Sequence, residues 1–283
     1  MTETGEGLTG RAFLDWAVEL LEGVEASPEQ RAWCRHYPLS AQEPGQEALE
    51  RDLRALEDQS RRLGLTIANY QRAMEVRGLE AGEMDRAAAE SLPRLDVLAC
   101  LTWHFRRDHF SEGSLIRESV AEGALLRLFR RLRELQRWPG IATTLGELFR
   151  DRCSGIPTAP GVYRVLAPEG VPIRFLDRTE GPAPWYPAEE LEKRYRTCRD
   201  REILYIGKAD GRRGLRQRIW QYVRYGWGGG TIHRGGRAIW QIPDADLLLL
   251  EYDCCPDCEA RERALLEDYL RENGILPLAN RRR

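Results

Sequence analysis

The sequence contains almost no lysine and no long apolar segment. Only Lys193 and Lys208 are lysines, and the other 41 of the 43 basic residues are arginines. A GC-rich genome explains this bias as background composition, so a lysine that persists in such a chain is a candidate for a specific role. No apolar run approaches the roughly 18–20 residues that cross a bilayer, and the N-terminus is acidic and polar, unlike a secretory signal. We therefore expect a cytoplasmic protein with no membrane partner.

The seven cysteines form an odd, scattered set. In a chain without a signal peptide, free thiols are the expected state. Cys255 and Cys258 have the CxxC spacing of metal and redox motifs, with Cys254 beside them. A structural zinc normally needs four ligands, and no second CxxC exists. A structural Zn²⁺ at these three cysteines is therefore not favoured, and a redox role has no better support.

Length and charge indicate two domains of different character. The 283 residues are enough for one large domain or two ordinary ones. Residues 1–150 carry a net charge of −5 and residues 151–283 a net charge of +3. Within the second half, residues 201–237 carry nine basic side chains against two acidic ones. This segment alone indicates an anionic partner.

The hydrophobic period changes between the two halves. The first half has three apolar faces at helical spacing, on residues 49–63, 97–105 and 125–135. The second half contains strand-like segments and helical segments that do not alternate regularly, which indicates an α+β domain around a small sheet. We predict strands at 162–166, 203–206 and 247–252 and helices at 188–198, 215–223 and 259–271.

Glycines and prolines cluster between residues 139 and 160, which marks the boundary. We therefore predict an α-helical N-terminal domain of unknown role at 1–140, a linker at 141–160 and an α+β domain at 161–283.

Five short motifs in the second half occur in a characteristic order. They are Gly161-Val162-Tyr163, then Tyr205-Ile206-Gly207-Lys208, then Leu215-Arg216-Gln217-Arg218 with Tyr222, then Leu265-Leu266-Glu267, and finally Pro277 with Asn280. Over about residues 155–283 the chain resembles the GIY-YIG nuclease family. The resemblance implies a small, mainly antiparallel three-stranded sheet flanked by helices. It also implies hydrolysis of DNA with Mg²⁺ or Mn²⁺, leaving a 5′ phosphate and a 3′ hydroxyl.

Phosphodiester hydrolysis needs an activated water and stabilisation of negative charge on phosphorus. Glu267 is the expected metal ligand, because carboxylate oxygens suit Mg²⁺ and this glutamate lies within an apolar helix. Arg218 suits the transition state, since a guanidinium stays charged and can clamp phosphate oxygens. The resemblance implies that Tyr163 and Tyr205 face one site, where one of them activates the water if a neighbouring cation lowers its pKa.

The resemblance gives three more residues a role. It implies that Lys208 lowers a tyrosine pKa or binds phosphate, that Tyr222 completes the site, and that Asn280 ties the final segment to it. Ordinary interpretations remain open: strand aromatics for the tyrosines, solvated helix residues for Arg218 and Glu267, and a terminal turn for Asn280.

The chain departs from the family in the long connection between its first two strands. Residues 167–202 are interpreted as an insertion with a helix of its own, where extra length is tolerated. The insertion is either a specificity element, a lid or a passive addition. The link between Lys208 and Leu215 is also longer than in the family's commonest form.

Cations and aromatic residues alternate between residues 212 and 240. Arginines can hold phosphates and flat rings can stack on bases, although a solvated helix face with buried tryptophans has the same composition. The predicted nucleic-acid-binding residues are Arg212, Arg213, Arg216, Arg224, His233, Arg234 and Arg237.

Residues 90–135 loosely resemble a bacterial helical family without known function. His104 and His109 there are interpreted as structural, because no carboxylate-histidine pattern with metal spacing accompanies them. The acidic helical half could bind a partner or mediate homodimerisation.

Taken together, the motifs and the charge distribution predict a DNA endonuclease acting in defence, restriction or repair. A catalytically silent nucleic-acid-binding or assembly protein is the alternative.

Overall fold

The structure is a computed structural model that describes residues 8, 10–35, 46–79, 89–107, 114–179, 185–229 and 235–281. The chain divides into two compact units, Met1–Arg137 and Trp138–Arg283. Over these ranges the architecture is mixed α and β, with eleven α-helices and one four-stranded antiparallel sheet. None of the helices so described is long and apolar enough to cross a membrane.

All regular secondary structure in the described residues of the first unit is helical. The predicted apolar faces are buried, as at Leu56, Leu101 and Phe129, none of which is exposed. The Phe129 ring meets the Phe13 ring edge to face, with 6.2 Å between their centroids. Its helices are α1 (Gly10–Ala26), α2 (Pro28–Arg35), α3 (Glu47–Arg62), α4 (Tyr70–Arg77), α5 (Arg94–Arg107), α6 (Ser114–Ala121) and α7 (Ala124–Leu135).

The second unit surrounds a sheet with the strand order β1-β4-β2-β3, in which all neighbours are antiparallel. The three predicted strands are confirmed as β2, β3 and β4, and the very short β1 makes a fourth. The elements are β1 (Thr143–Thr144), α8 (Leu145–Arg150), β2 (Gly161–Leu166), α9 (Ala188–Thr197), β3 (Ile203–Ala209), α10 (Gly214–Gly226), β4 (Leu249–Cys254) and α11 (Cys258–Asn273).

Residues 141–160, predicted to be a linker, instead form part of the second unit. Strand β1 pairs with β4, and α8 follows it directly. The Thr144 hydroxyl caps α8 by accepting a hydrogen bond from the Glu147 amide at 3.1 Å. Leu145 and Leu148 are buried in the core of this unit. Their apolar side chains explain why the segment packs rather than links.

The two faces of the sheet differ in chemistry. Arg164 on β2 lies directly opposite Glu251 on β4, and the two side chains form a buried ion pair. The Arg164 guanidinium also lies 4.6 Å from the centroid of the Trp138 ring. Because side chains alternate along a strand, the neighbouring Tyr163 points to the opposite face. That face carries the candidate site.

Candidate active site

Three tyrosines from three elements converge on one face of the sheet. In the register of β2 and β3, Tyr163 lies opposite Gly207 and Tyr205 lies opposite Val165. Tyr222 reaches the same place from α10. The ring centroids are 6.0 Å apart for Tyr163 and Tyr205, 6.2 Å for Tyr163 and Tyr222, and 5.7 Å for Tyr205 and Tyr222. The structure thus brings together the three tyrosines that the motifs singled out.

Gly207 makes this convergence possible. A Cβ atom at this position would lie 2.7 Å from Cζ and 2.8 Å from the hydroxyl of Tyr163, and 3.0 Å from a ring carbon of Tyr205. Any side chain there would displace both rings. Gly207 is paired directly with Tyr163 on the neighbouring strand. The close packing of the Tyr163 ring therefore explains why the Tyr205-Ile206-Gly207 motif ends in glycine.

Burial raises the pKa of all three phenols. For Tyr163 and Tyr222, which are fully buried, the pKa lies well above the usual value. Arg218 lowers the pKa of Tyr163 and Tyr205, but burial outweighs it. The expected lowering of a tyrosine pKa is therefore not found, and the cation that acts on these phenols is Arg218 rather than Lys208.

The hydroxyl groups of the cluster are not equally satisfied. Tyr222 donates a hydrogen bond to the carbonyl of Gly236 at 3.2 Å. The Tyr163 hydroxyl is buried and makes no hydrogen bond of normal distance and angle to the described residues. The Tyr205 phenol nevertheless lies near enough to influence its pKa. A buried polar atom without a partner is uncommon and marks a place where function can override stability.

The carboxylate beside this cluster belongs to Glu262, not to Glu267. Burial raises the pKa of Glu262, while Lys208 and Arg218 oppose that shift. Glu262 and Leu266, one helical turn apart on α11, line the same cavity. Glu267 is exposed on α11. Its apolar neighbours in the sequence predict an apolar environment, but the apolar side of the helix turns away from it.

Lys208 ends among three carboxylates. Its Nζ atom lies 3.7 Å from Glu259, 3.8 Å from Asp210 and 3.8 Å from Glu262. The Lys208 side chain is about one quarter exposed, at 26%. Its positive charge therefore balances the acidic start of α11, next to Glu262.

Asn280 joins the C-terminal segment to the outer edge of β3. Its side-chain oxygen accepts a hydrogen bond from the Ile206 amide at 2.9 Å, and its side-chain nitrogen donates to the Ile206 carbonyl at 2.8 Å. The amide of Ala279 donates to the carbonyl of Leu204 at 2.9 Å. These bonds hold the strand on both sides of Tyr205, as expected for a residue that ties the final segment to the site.

A cavity of about 810 Å³ lies against these groups. Tyr205 borders it, whereas Tyr163 is fully buried behind the cluster. The inserted segment contributes Tyr186, whose ring lies 4.0 Å below the guanidinium of Arg281. The residues that matter for its chemistry are Tyr186, Tyr205, Arg237, Glu262, Asn280 and Arg281.

Most of the predicted nucleic-acid-binding arginines lie at the surface of the second unit. Arg212 and Arg213 precede α10 and are exposed. Arg216 and Arg224 on α10 are also exposed, although Arg216 donates a hydrogen bond to the carbonyl of Ile156 at 2.6 Å. Arg237 is half-buried, 5.7 Å from the centroid of the Tyr225 ring. The remaining predicted residues, His233 and Arg234, lie outside the described residues, as does His109.

The side chains at the cavity fit a magnesium site of the open kind. Mg²⁺ is usually held by one or two carboxylates together with waters and substrate phosphates. Glu262 offers one such carboxylate at the cavity wall. Within the described ranges, no group of three or more His, Cys, Asp or Glu side chains is arranged to hold a metal. Glu262 is thus the carboxylate that a cation shared with a phosphate would contact at this cavity.

The cysteines near α11 differ in exposure. Cys254 is exposed, Cys255 is half-buried, and Cys258 is buried with its thiol 3.6 Å from the carbonyl of Ala209. All seven cysteines are described, and each is a free thiol.

Comparison of the chain with protein-family models, with curated proteins and with solved structures gives no match.

Proposed function

We propose that the protein is a metal-dependent endonuclease that hydrolyses phosphodiester bonds in DNA. The observation that carries the proposal is the convergence of phenols, a guanidinium and a carboxylate from two strands and two helices on one buried cluster beside a cavity. The order of the sequence motifs supports the same interpretation. The proposed setting is cytoplasmic, in defence, restriction or repair.

The residues of the cluster divide the chemical work. Glu262 would hold the divalent cation, Mg²⁺ or Mn²⁺, which when bound stabilises negative charge on the phosphate and lowers the pKa of water. The planar guanidinium of Arg218 can hold phosphate oxygens through two parallel hydrogen bonds. Tyr205 borders the cavity. Among the three tyrosines, Tyr205 would therefore be the one to contact a water or a phosphate oxygen in the cavity.

DNA would reach the cavity across the exposed arginines at the start of α10. The exposed arginines there are Arg212, Arg213 and Arg216. Few acidic residues neutralise them, since residues 201–237 carry a net charge of +7. Such contacts go to phosphates and position the duplex without reading its sequence.

The second candidate function is nucleic-acid binding without catalysis. Two observations favour it: the raised pKa of the phenols, and the position of Lys208 within ion-pair distance of Glu262. Salt-dependent binding without cleavage would identify such a protein. In either case, the helical first unit is proposed to bind a partner protein or a second copy of the chain. Light scattering of the full chain tests the association with a second copy.

The test compares two glutamates on one helix. The full chain is incubated with Mg²⁺ and with duplex, branched and single-stranded DNA, and Glu262→Gln is compared with Glu267→Gln. We expect Glu262→Gln to lower the cleavage rate at least about 100-fold with DNA binding retained. Glu267→Gln should stay within about twofold, as a surface change.

The opposite pattern would assign the metal to Glu267. Cleavage that survives both substitutions would mean that neither glutamate is required, which would contradict the proposed site. An inactive wild-type chain that binds DNA would leave the non-catalytic alternative.

A further inference from the structure

The insertion between β2 and β3 contacts the C-terminal part of the chain through α9. Leu191 on this helix is fully buried in the core of the second unit. Beyond the helix, the Asp200 amide donates to the side-chain oxygen of Asn273 at 2.6 Å, and the Tyr269 hydroxyl donates to the Asp200 carbonyl at 2.6 Å. The inserted segment is thus packed against the end of α11, the helix that carries Glu262.

Arg194 on α9 contacts the segment that follows α11. Its Nε atom donates to the carbonyl of Leu278 at 2.9 Å. One of its terminal nitrogens lies within hydrogen-bond distance of three more carbonyls, those of Leu276 at 3.1 Å, Pro277 at 3.2 Å and Asn280 at 3.1 Å. A planar guanidinium can satisfy several acceptors at once in a fixed geometry, which a lysine ammonium on a flexible stem cannot reproduce.

The segment that Arg194 holds is the one that fixes β3. Asn280 bonds both the amide and the carbonyl of Ile206, next to Tyr205. Arg194 itself does not line the cavity. Its influence on the site must therefore pass through the backbone of residues 276–280 and the side chain of Asn280.

We propose that Arg194 is a positioning residue. It holds the backbone of residues 276–280 so that Asn280 can fix β3 and Tyr205 at the candidate active site. The inference rests on the proposed function for its catalytic consequence, but the positioning is a property of the chain alone. The insertion is in this view neither a lid nor a passive addition.

A second contact from the same helix acts in the same direction. Glu190 lies one turn before Arg194, on the same side of α9, and pairs with Arg281. Arg281 in turn lies over the ring of Tyr186 at the cavity wall. Helix α9 therefore contacts the C-terminal segment on both sides of the Asn280 side chain.

The experiment uses the full chain with Arg194→Ala, Arg194→Lys and the control Arg196→Ala. Arg196 lies two residues away on the same helix, but its side chain is 75% exposed and pairs with Glu192 on the solvent side. Hydrogen exchange by NMR reports on the Ile206 amide, which donates its hydrogen bond to Asn280, and on amides of β4 as an internal reference. We expect hydrogen exchange at the Ile206 amide to accelerate at least about tenfold in both Arg194 variants, because the segment opens locally more often. In Arg196→Ala the same exchange rate should change by less than about twofold.

Cleavage kinetics test the consequence for the site. Arg194→Ala should lower kcat about tenfold or more with KM within about threefold, because misplaced groups cost rate when substrate contacts are intact. Arg194→Lys should not restore kcat. In the double variant with Asn280→Ala, the Arg194 substitution should add less than about twofold, since both act through the same side chain.

Unchanged Ile206 exchange in Arg194→Ala would overturn the proposal, as would restoration by lysine or full additivity with Asn280→Ala. A chain without cleavage activity would contradict the proposed function, while the exchange measurement would still decide the role of Arg194.

Discussion

Replacing Gly207 by alanine tests whether close packing of the tyrosines defines the site. The added Cβ would lie 2.7 Å from a ring carbon of Tyr163, and the ring would have to move by about 0.7 Å to reach ordinary contact. Tyr163 is fully buried, and Tyr205 and Tyr222 pack against it, so its ring cannot move without displacing its neighbours. Overpacking of this kind costs about 1–3 kcal/mol.

The matched control is Gly211→Ala. Gly211 is exposed, and a Cβ there would meet nothing within 4 Å. We expect Gly207→Ala to lower the free energy of unfolding of the second unit by about 1–3 kcal/mol, and Gly211→Ala to change it by less than about 0.5 kcal/mol. Urea denaturation followed by hydrogen exchange in β2 and β3 separates this unit from the first. Equal stability of the two variants would refute the packing argument.

Three further predictions concern buried polar groups. Tyr163→Phe removes a buried hydroxyl that makes no hydrogen bond of normal distance and angle to the described residues, so stability should fall little, whereas Tyr222→Phe removes a bond to Gly236 and should cost about 1 kcal/mol; urea denaturation that gives equal losses would contradict this. Burial, followed by Arg107, lowers the pKa of His104 to about 4. Because the unfolded chain binds this proton first, the first unit should be fully stable above about pH 6.5 and lose about 3 kcal/mol as the pH falls toward 4. His104→Gln should flatten that slope in urea denaturation, and an unchanged slope would exclude this histidine. Arg164→Met should cost about 3–5 kcal/mol by leaving Glu251 buried without its cation, and adding Glu251→Leu should recover most of it in thermal denaturation.

Local sequence predicts the elements whose signal is local. The strands at 162–166 and 203–206 are rich in β-branched and aromatic residues, and the strand at 247–252 begins with four leucines in a row. All three are confirmed, with boundaries shifted by at most three residues. Strand β1 consists of two threonines that become a strand by pairing with Leu249 and Leu250, about a hundred residues later. A two-residue segment is too short to show the alternating pattern by which strands are predicted.

The carboxylate that faces the cavity is harder to predict, because it depends on how a helix is rotated against the sheet. Glu262 and Glu267 are five residues apart on α11, so they point about 140° apart around its axis. Motif order favours Glu267, but the packing of Leu266 and Tyr269 turns Glu262 toward the cavity and leaves Glu267 in solvent. A usable signal is the position of Glu262 one turn before Leu266.

The scarcity of lysine draws attention to Lys208, a residue close to the candidate site. In the structure, however, its side chain lies among carboxylates and not against a tyrosine. The resemblance gives Lys208 one of two roles, to lower a tyrosine pKa or to bind phosphate. Its register position opposite Val162 places it on the other side of β3 from Tyr205 and Gly207, toward the acidic start of α11. Alternation along one strand thus separates two residues that the motif places only three positions apart.

The Asn280 amide also protects the sheet from association with other chains. Strand β3 is an outer strand, and the Leu204 carbonyl and the amide and carbonyl of Ile206 face outward, where they could hydrogen bond to a foreign strand. Ala279 and Asn280 occupy those groups, and the other edge of the sheet is only the two-residue β1. One short segment at the end of the chain therefore serves both solubility and the candidate site. Substitutions there should produce aggregation together with loss of activity, so the soluble fraction has to be measured before any rate is compared.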